Sequence, residues 1–241
     1  MTSNLPGQGV AAELGVPVSG GLPPDLRVWD LLLRLTHWSF PLLILAMWWT
    51  AENSKWAWHR RLGLVLLGIL LFRVLWGFVG PETARFASFV RGPRAVIAYL
   101  RGALPDTANR IGHSPIGGWS TLALLAAMLL QVSMGLFAGD PFDGMTGPLN
   151  PLVGVLTADT ITELHETFFW VLAGLIGLHL SAIVFYAVKG NDLVSPMVSG
   201  DRPPMQAVAG IGPTPWVRGL IAATLAAGFA LWVAYGAPPL T

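Results

Sequence analysis

The chain has 241 residues, of which 54% are hydrophobic and only 11% charged, whereas a soluble domain carries about 25% charged residues. This composition predicts an integral membrane protein, and a net charge of +1 without a basic stripe argues against nucleic acid as a partner. The absence of cysteine excludes disulfides, thiolate iron–sulfur clusters, c-type haem attachment and cysteine-based zinc sites, which leaves histidine as the main soft ligand.

The chain begins with a Gly/Pro-rich segment, residues 1–26, that lacks the regions of a signal peptide and is predicted to be a flexible tail. Arg27 to Arg34 is predicted to be an amphipathic lead-in at the membrane surface, with Trp29 in the interface and the two arginines in water. Five apolar segments follow, each near the length of about 20 residues that crosses a bilayer. They are predicted as membrane helices at 35–51, 59–79, 118–138, 163–188 and 217–236. The predicted fold class is therefore all-α, an integral membrane helical bundle.

Charges in the connections predict the orientation of this bundle. The 139–162 connection has no Lys or Arg and is predicted to be irregular and external. The 80–117 connection, predicted to be cytoplasmic, includes a short surface helix at 93–101 and five arginines: Arg85, Arg91, Arg94, Arg101 and Arg110. The N-terminus is then cytoplasmic and the C-terminus periplasmic, in a bacterial inner membrane. The external 52–61 connection fits this poorly, because it holds Lys55, Arg60 and Arg61.

The fourth apolar segment carries a histidine near each end, His165 and His179. Fourteen residues separate them, about 21 Å of helical rise, and fourteen steps of about 100° bring both rings to within about 40° of one face. Imidazoles inside an apolar span are costly and usually functional, and imidazole is a common axial ligand of haem iron. We therefore expect two ligands at two depths of the same helix.

The predicted topology supplies a partner histidine at each depth. His37 lies near the inner end of the first helix, level with His179, and His59 lies near the outer end of the second, level with His165. Depth alone thus predicts two bis-histidine sites, His37/His179 inside and His59/His165 outside. Such ligation saturates iron and suits electron transfer better than oxygen binding.

Four arginines are candidates to bind the anionic groups of cofactors at these sites. Arg73 lies fourteen residues after His59 and so on the same helix face at the inner depth, where a haem propionate or a quinone headgroup would neutralise it. Arg34 could act similarly near His37, and Arg60 and Arg61 near His59, although lipid-interface snorkelling would also explain these arginines.

Other polar and small residues have simpler interpretations. His113 lies in a Gly/Pro-rich loop, where a helix-start or loop role is favoured over contact with quinone or a partner. Gln131 in the third helix is interpreted as a contact between helices. Four glycines are interpreted as packing positions, with close approach of a flat macrocycle as the alternative: Gly63, Gly68, Gly174 and Gly177.

Several motifs together resemble the bacterial cytochrome b561 family, which includes the b-type cytochrome subunit of nickel–iron hydrogenases. They are LTHW at 35–38, HRRLG at 59–63, FRVLWG at 72–77, ELHET at 163–167 and GLH at 177–179. ARFASFVRGP at 84–93 and GHSP at 112–115 resemble the branch of cytochrome b/b6-domain proteins. The resemblance covers about 27–203 as one dihaem membrane domain and leaves 204–241 as a linker and an extra membrane helix.

The resemblance implies a four-helix core that holds two b-type haems, with His37, His59, His165 and His179 at the ligand positions. It also implies electron exchange between a periplasmic donor, such as a c-type cytochrome or a hydrogenase-like partner, and the membrane quinone pool. A stand-alone superoxide:quinone oxidoreductase is an alternative within this interpretation. A haem-free transporter is the alternative of another class, disfavoured because no inverted repeat and no acidic residue in mid-helix is found. A non-haem metal site is disfavoured because the histidines are too far apart in depth.

Overall fold

The chain folds into five long helices with short connecting elements, and the prediction of an all-α membrane bundle is confirmed. The computed structural model describes residues 26–103, 112–140, 145–202 and 211–240. Within these ranges five helices are long and apolar enough to cross a membrane. They are α1 (Leu31–Glu52), α2 (Trp56–Val79), α5 (Pro115–Phe137), α6 (Val155–Val188) and α8 (Trp216–Ala234), and the short helices are α3 (Phe86–Phe89), α4 (Pro93–Leu100) and α7 (Val194–Ser199).

Local sequence explains where the helices begin. Asp30 caps α1 by accepting a hydrogen bond from the Leu33 backbone N–H at 3.0 Å, and Ser114 caps α5 by accepting one from Gly117 N–H at 3.1 Å. Pro115 and Pro93 occupy the first turns of α5 and α4, where a missing N–H costs nothing. The predicted surface helix at 93–101 is thus confirmed as α4.

Helix α2 lies at the centre of the bundle and packs against α1, α5 and α8, while α5 packs against α6. Leucines of α2 and apolar residues of α5 form the main core: Leu66, Leu67, Leu70, Leu125, Met128 and Val132. Many other leucines are exposed on the outer faces of the helices, such as Leu42 and Leu178. In a membrane these faces contact lipid chains.

The C-terminal helix α8 is an integral part of this bundle. Its buried face is a line of small residues, Gly219, Ala222, Ala226 and Ala230, packed against α2. A Cβ atom at Gly219 would lie only 2.6 Å from a methyl group of Leu32. Small residues let helix backbones approach closely, so α8 covers the side of α2 that would otherwise face lipid.

Two sequence predictions were wrong. Residues 27–34 are not an amphipathic surface lead-in, because Trp29 is buried and Leu26–Arg27 pairs in antiparallel register with Asp201–Arg202. Long-range pairing with the segment that follows α7 therefore outweighs the local amphipathic pattern. The connection 139–162 is not irregular throughout, because α6 begins at Val155, after a two-residue ladder between Gly139–Asp140 and Met145–Thr146.

The early start of α6 changes its dimensions. Its 34 residues span about 51 Å, whereas the apolar core of a bilayer is about 30 Å thick. The first turns of α6 therefore extend beyond the apolar layer. Residues 1–25 of the predicted tail and residues 204–210 of the predicted linker lie outside the described residues.

Candidate functional site

His59 of α2 and His165 of α6 face each other at one end of the bundle. Their ring centroids are 6.2 Å apart and their planes are at 89°. Metal–imidazole bonds of about 2.0–2.1 Å, with about 1.1 Å from each nitrogen to its ring centre, would put two axial ring centroids about 6.3 Å apart. The spacing of the two rings therefore leaves room for one metal ion between them.

Both rings have the same nitrogen tied to a helix carbonyl. His59 Nδ1 lies 2.9 Å from the Met47 carbonyl oxygen, and His165 Nδ1 lies 2.9 Å from the Gln131 carbonyl oxygen. Since a carbonyl only accepts, Nδ1 carries the hydrogen in each ring and donates it. The lone pair of Nε2 is then available to a metal in both histidines.

The two rings lie in a cavity of about 690 Å³, which we term the His59–His165 pocket. Cofactor pockets typically have volumes of about 300–1,000 Å³. The apolar lining includes Met47, Leu66, Met128, Leu136, Phe169, Trp170 and Leu172, and the charged lining consists of Glu52, Asp159, Glu166 and Arg60. With neutral imidazoles, three carboxylates against one guanidinium give the pocket a net negative charge.

The two arginines predicted beside His59 differ in position. Arg60 lines the His59–His165 pocket. Arg61 instead lies over the ring of Trp58, with its guanidinium carbon 5.3 Å from the ring centroid. A cation–π contact of this kind accounts for Arg61 without a cofactor.

At the other end of the bundle, Arg73 is buried in α2 and has only partial compensation for its charge. Its guanidinium carbon lies 5.4 Å from the centroid of Phe86, and its Nη1 atom is buried without a hydrogen-bond partner. Asp30 acts on it electrostatically, although the two form no close ion pair in the described part of the chain. The Asp30 carboxylate instead accepts hydrogen bonds from Trp76 Nε1 at 3.1 and 3.2 Å.

Three histidines gather around Arg73, and we term Arg73, His37, His113 and His179 the Arg73 cluster. His37 lies within electrostatic range of His179 and Arg73. His113 packs between Trp29 and Phe89, at centroid distances of 4.9 and 4.4 Å. Burial, and then the charge of Arg73, lowers the pKa of His113 to about 3. The GHSP loop therefore joins the group of basic side chains around Arg73, which the sequence interpretation treated as separate.

Most of the buried side-chain atoms without a partner in the described ranges lie at this end. They are Arg34 Nε, His37 Nδ1, Arg73 Nη1 and His113 Nδ1, while Gln131 Oε1 lies at the other end. Leaving buried polar atoms unpaired is costly. The two guanidinium nitrogens can only donate, so they indicate that acceptor oxygens belong there. Arg34 is only partly used by protein, since its Nη1 donates to the Val198 carbonyl at 2.8 Å.

A cofactor must supply further ligands if these imidazoles bind a metal. Among the described residues no three or more His, Cys, Asp or Glu side chains converge on one point. The paired imidazoles with free Nε2 atoms and the apolar cavity around them fit a porphyrin that carries its own equatorial ligands. The unpaired guanidinium nitrogens at the other end of the bundle fit the carboxylates of such a group.

Comparison with known sequences agrees with this geometry. Residues 28–200 match the family described as prokaryotic cytochrome b561. The chain belongs to the prokaryotic cytochrome b561 family. Membership makes the chain a membrane b-type cytochrome in electron transfer, and the resemblance inferred from the motifs is confirmed. No curated protein and no solved structure matches the chain.

The family match ends before α8, and the sequence interpretation missed two residues that the fold brings to the cytochrome's candidate sites. Asp30 is fully buried beside Trp76, and Gly135 lies against the ring of His165. Gln131, interpreted as a helix contact, makes that contact with His165 itself. The only local signal was the polar Gln131 within an apolar span. By contrast, Gly174 and Gly177 are exposed and have nothing within 4 Å of an added Cβ, so the interpretation of these two glycines as packing positions is wrong.

Proposed function

We propose that this cytochrome binds two b-type haems and passes electrons between a periplasmic donor and the membrane quinone pool. His59 and His165 would ligate the haem near the donor, and His37 and His179 the haem near the quinone. The observation that carries the proposal is the facing pair of imidazoles, 6.2 Å apart, with both Nδ1–H groups held by carbonyls.

A haem with two imidazole ligands is coordinatively saturated and supplies reversible one-electron exchange. The protein's own task is to hold the rings. Hydrogen bonds from Nδ1 to Met47 and Gln131 carbonyls select the tautomer, orient each ring and raise the basicity of Nε2.

The unpaired donors of the Arg73 cluster are proposed to bind acceptor oxygens. Arg73 Nη1 and Arg34 Nε are guanidinium donors suited to propionate carboxylates, and Arg60 would serve the haem in the pocket. His113 lies beside Arg73, where a quinone carbonyl would find a second donor. Arg61 is the weakest of the four arginine candidates because it already contacts Trp58.

Charge favours a protein donor over superoxide. Glu52, Asp159 and Glu166 line the His59–His165 pocket against a single Arg60, so a small anion would be repelled. A donor with a basic surface, such as a c-type cytochrome or a hydrogenase-like partner, would be attracted. The arginine-rich 80–117 connection supports a cytoplasmic position for the opposite end of the bundle, with the N-terminus inside and the C-terminus periplasmic.

Haem content of single-histidine variants tests the proposal. The purified wild-type chain should contain two b-type haems, and dithionite should shift its Soret band. His59→Ala and His165→Ala should each lose the same haem, whereas His37→Ala and His179→Ala should each lose the other. His113→Phe is the matched control, because it removes the fifth histidine and should retain both haems.

Each other outcome contradicts part of the proposal. A wild-type chain with one haem or none would refute the dihaem function. Loss of both haems from every ligand variant, with His113→Phe intact, would refute the assigned pairs. A faster reaction with superoxide than with a basic cytochrome donor would favour the stand-alone oxidoreductase instead.

A further inference from the structure

We propose that Gln131 and Gly135 of α5 are positioning residues that fix the ring plane of His165, and thereby the angle between the two imidazoles of the pocket. The inference rests on the proposed function, because it concerns how the pocket holds its haem. It assigns a role to two residues on the helix that supplies no histidine to either site.

Gln131 holds His165 at two points. Its carbonyl oxygen accepts the hydrogen bond from His165 Nδ1 at 2.9 Å, and its side-chain Nε2 donates to the His165 carbonyl oxygen at 2.9 Å. One residue of α5 thus binds both the ring and the backbone of one residue of α6. The further contact between Gln131 Nε2 and His165 Nε2 is 3.5 Å, at the limit for a hydrogen bond.

The orientation of the Gln131 amide follows from this arrangement. A flipped amide would put Oε1 against the His165 carbonyl, where two acceptors repel each other. The observed orientation leaves Gln131 Oε1 buried without a partner. Packing of two helices alone would not favour an unpaired amide oxygen, because burying an acceptor without a donor is costly. The clamp on His165 explains why a glutamine rather than an apolar residue lies here.

Gly135 lies one helical turn further along α5 and touches the ring directly. A Cβ atom at this position would lie 2.9 Å from His165 Cε1 and 3.4 Å from Nδ1. Since real Cβ contacts are longer than 2.9 Å, the ring occupies space that any side chain at 135 would take. The ring cannot simply move away, because Nδ1 is bonded to the Gln131 carbonyl.

The consequence is an imposed angle at the metal site. The His165 plane stands at 89° to the His59 plane, and His59 is held separately by the Met47 carbonyl. The angle between axial imidazole planes determines the anisotropy of the low-spin ferric signal in electron paramagnetic resonance. The hydrogen bond at Nδ1 determines how strongly the imidazole donates electrons to iron, and so the midpoint potential.

The test compares Gly135→Ala with Gly174→Ala in the purified full-length protein. Gly174 lies on α6 and has nothing within 4 Å of an added Cβ, so it is the matched control. Gly135→Ala should retain two haems, make one ferric signal less anisotropic and leave the other unchanged. A weaker Nδ1 bond should also favour reduction of that haem about threefold to tenfold, where tenfold corresponds to 59 mV for one electron. Gly174→Ala should match the wild type.

A second variant gives a graded outcome. Gln131→Met keeps the backbone carbonyl and the side-chain length but removes the amide donor, so it should shift the same signal and potential in the same sense by less. Loss of the pocket haem alone from Gly135→Ala also supports the proposal, because the ring has then left its ligating position. If Gly135→Ala loses both haems, Gln131→Met decides.

Unaltered signals and potentials in a fully haem-loaded Gly135→Ala or Gln131→Met protein would overturn the positioning role. This result is distinguishable from failure of the proposed function, which the haem content of the wild type alone decides. A wild-type chain with two haems and unaltered variants would keep the function and remove the role of Gln131 and Gly135.

Discussion

The two ends of the bundle both contain histidines, but the nitrogen atoms of these histidines have different partners. In the His59–His165 pocket each ring nitrogen Nδ1 already has a carbonyl partner, and the charged part of the mainly apolar lining consists mostly of carboxylates. In the Arg73 cluster His37 Nδ1, His113 Nδ1 and Arg73 Nη1 are buried without partners. At the first end the protein itself supplies partners for the ring nitrogens Nδ1, whereas at the second end the described residues supply no partner for these buried nitrogen atoms.

This difference indicates which substitutions should affect stability and which should affect function. At the pocket, the bonds that hold the histidines also join α1 to α2 and α5 to α6. At the cluster, the buried Asp30 acts electrostatically on Arg73, and it bonds to Trp76 and the start of α1. Substitutions at the cluster should therefore affect folding through charge, and those at the pocket through ring geometry and donor docking.

The largest expected effect is that of Asp30→Ala, which would remove a helix cap, the acceptor for Trp76 and the negative charge near Arg73. We expect a loss of about 3–5 kcal/mol in the free energy of unfolding, as for removal of one partner from a buried charge network. Thermal unfolding in detergent measures it. Asp201→Ala is the control, because its 3.6 Å contact with Arg27 is solvent-exposed and should contribute about 0–1 kcal/mol. Equal losses would contradict the central role of Asp30.

Gly77→Ala should lower the free energy of unfolding by changing the packing beside Arg73. A Cβ atom at Gly77 would overlap the ring of Phe86, which also contacts the Arg73 guanidinium. Overpacking of this kind costs about 1–3 kcal/mol, measurable by thermal unfolding. Gly228→Ala on α8 meets nothing within 4 Å and should be neutral or stabilise by about 0.5–1 kcal/mol. A neutral Gly77→Ala would mean that Phe86 is free to move.

Removal of one positive charge at each end compares their electrostatics directly. Arg73→Gln should make the haem that we propose at the cluster about tenfold harder to reduce, or 59 mV for one electron, because Arg73 is buried. Arg60→Gln should change the pocket haem by less than about twofold, because Arg60 is exposed to solvent screening. Redox titration of the separate haem bands measures both changes. A larger shift from Arg60→Gln would reverse the comparison.

Neutralising the acidic lining of the pocket should slow electron entry from a basic protein. With Asp159→Asn and Glu166→Gln combined, we expect reduction by a basic c-type cytochrome to slow about threefold to fivefold at low salt. The difference should vanish near 1 M salt, where the Debye length is about 3 Å. Stopped-flow kinetics measures the rates, and Glu82→Gln at the other end is the control. A rate that rises in the double variant would exclude a basic donor.

The smallest expected effect is the contribution of His113 to the pH dependence of stability. Its pKa is lowered to about 3 by burial and then by the charge of Arg73, so between about pH 3 and pH 6.5 the unfolded chain binds more protons there. The free energy of unfolding should therefore fall as pH decreases, by about 0.4 kcal/mol from pH 8 to pH 6.5 for this group. His113→Phe should lack this part of the slope in thermal unfolding. An identical slope in both proteins would show that His113 is not buried neutral.

The helices and the histidine spacing could be predicted because both depend on local sequence. Apolar segments of about 20 residues identify all five spans, and one continuous α6 carries His165 and His179 fourteen residues apart. The true conformation at 27–34 could not be predicted from local sequence, because its pairing partner lies at 201–202. The early start of α6 was missed because Val155 follows a Gly/Pro-rich loop that resembles irregular chain.

The membrane bundle, the family and the prediction of four histidines at two depths follow from the sequence alone, because helix periodicity and the length of an apolar span are properties of contiguous residues. The groups that hold His165 and the other buried polar side chains are seen only in the folded chain. Gln131 and His165 are 34 residues apart, and Asp30 and Trp76 are 46 residues apart, so no local pattern relates them. Contacts of this kind depend on how helices pack, and packing brings together side chains that the order of the chain keeps distant.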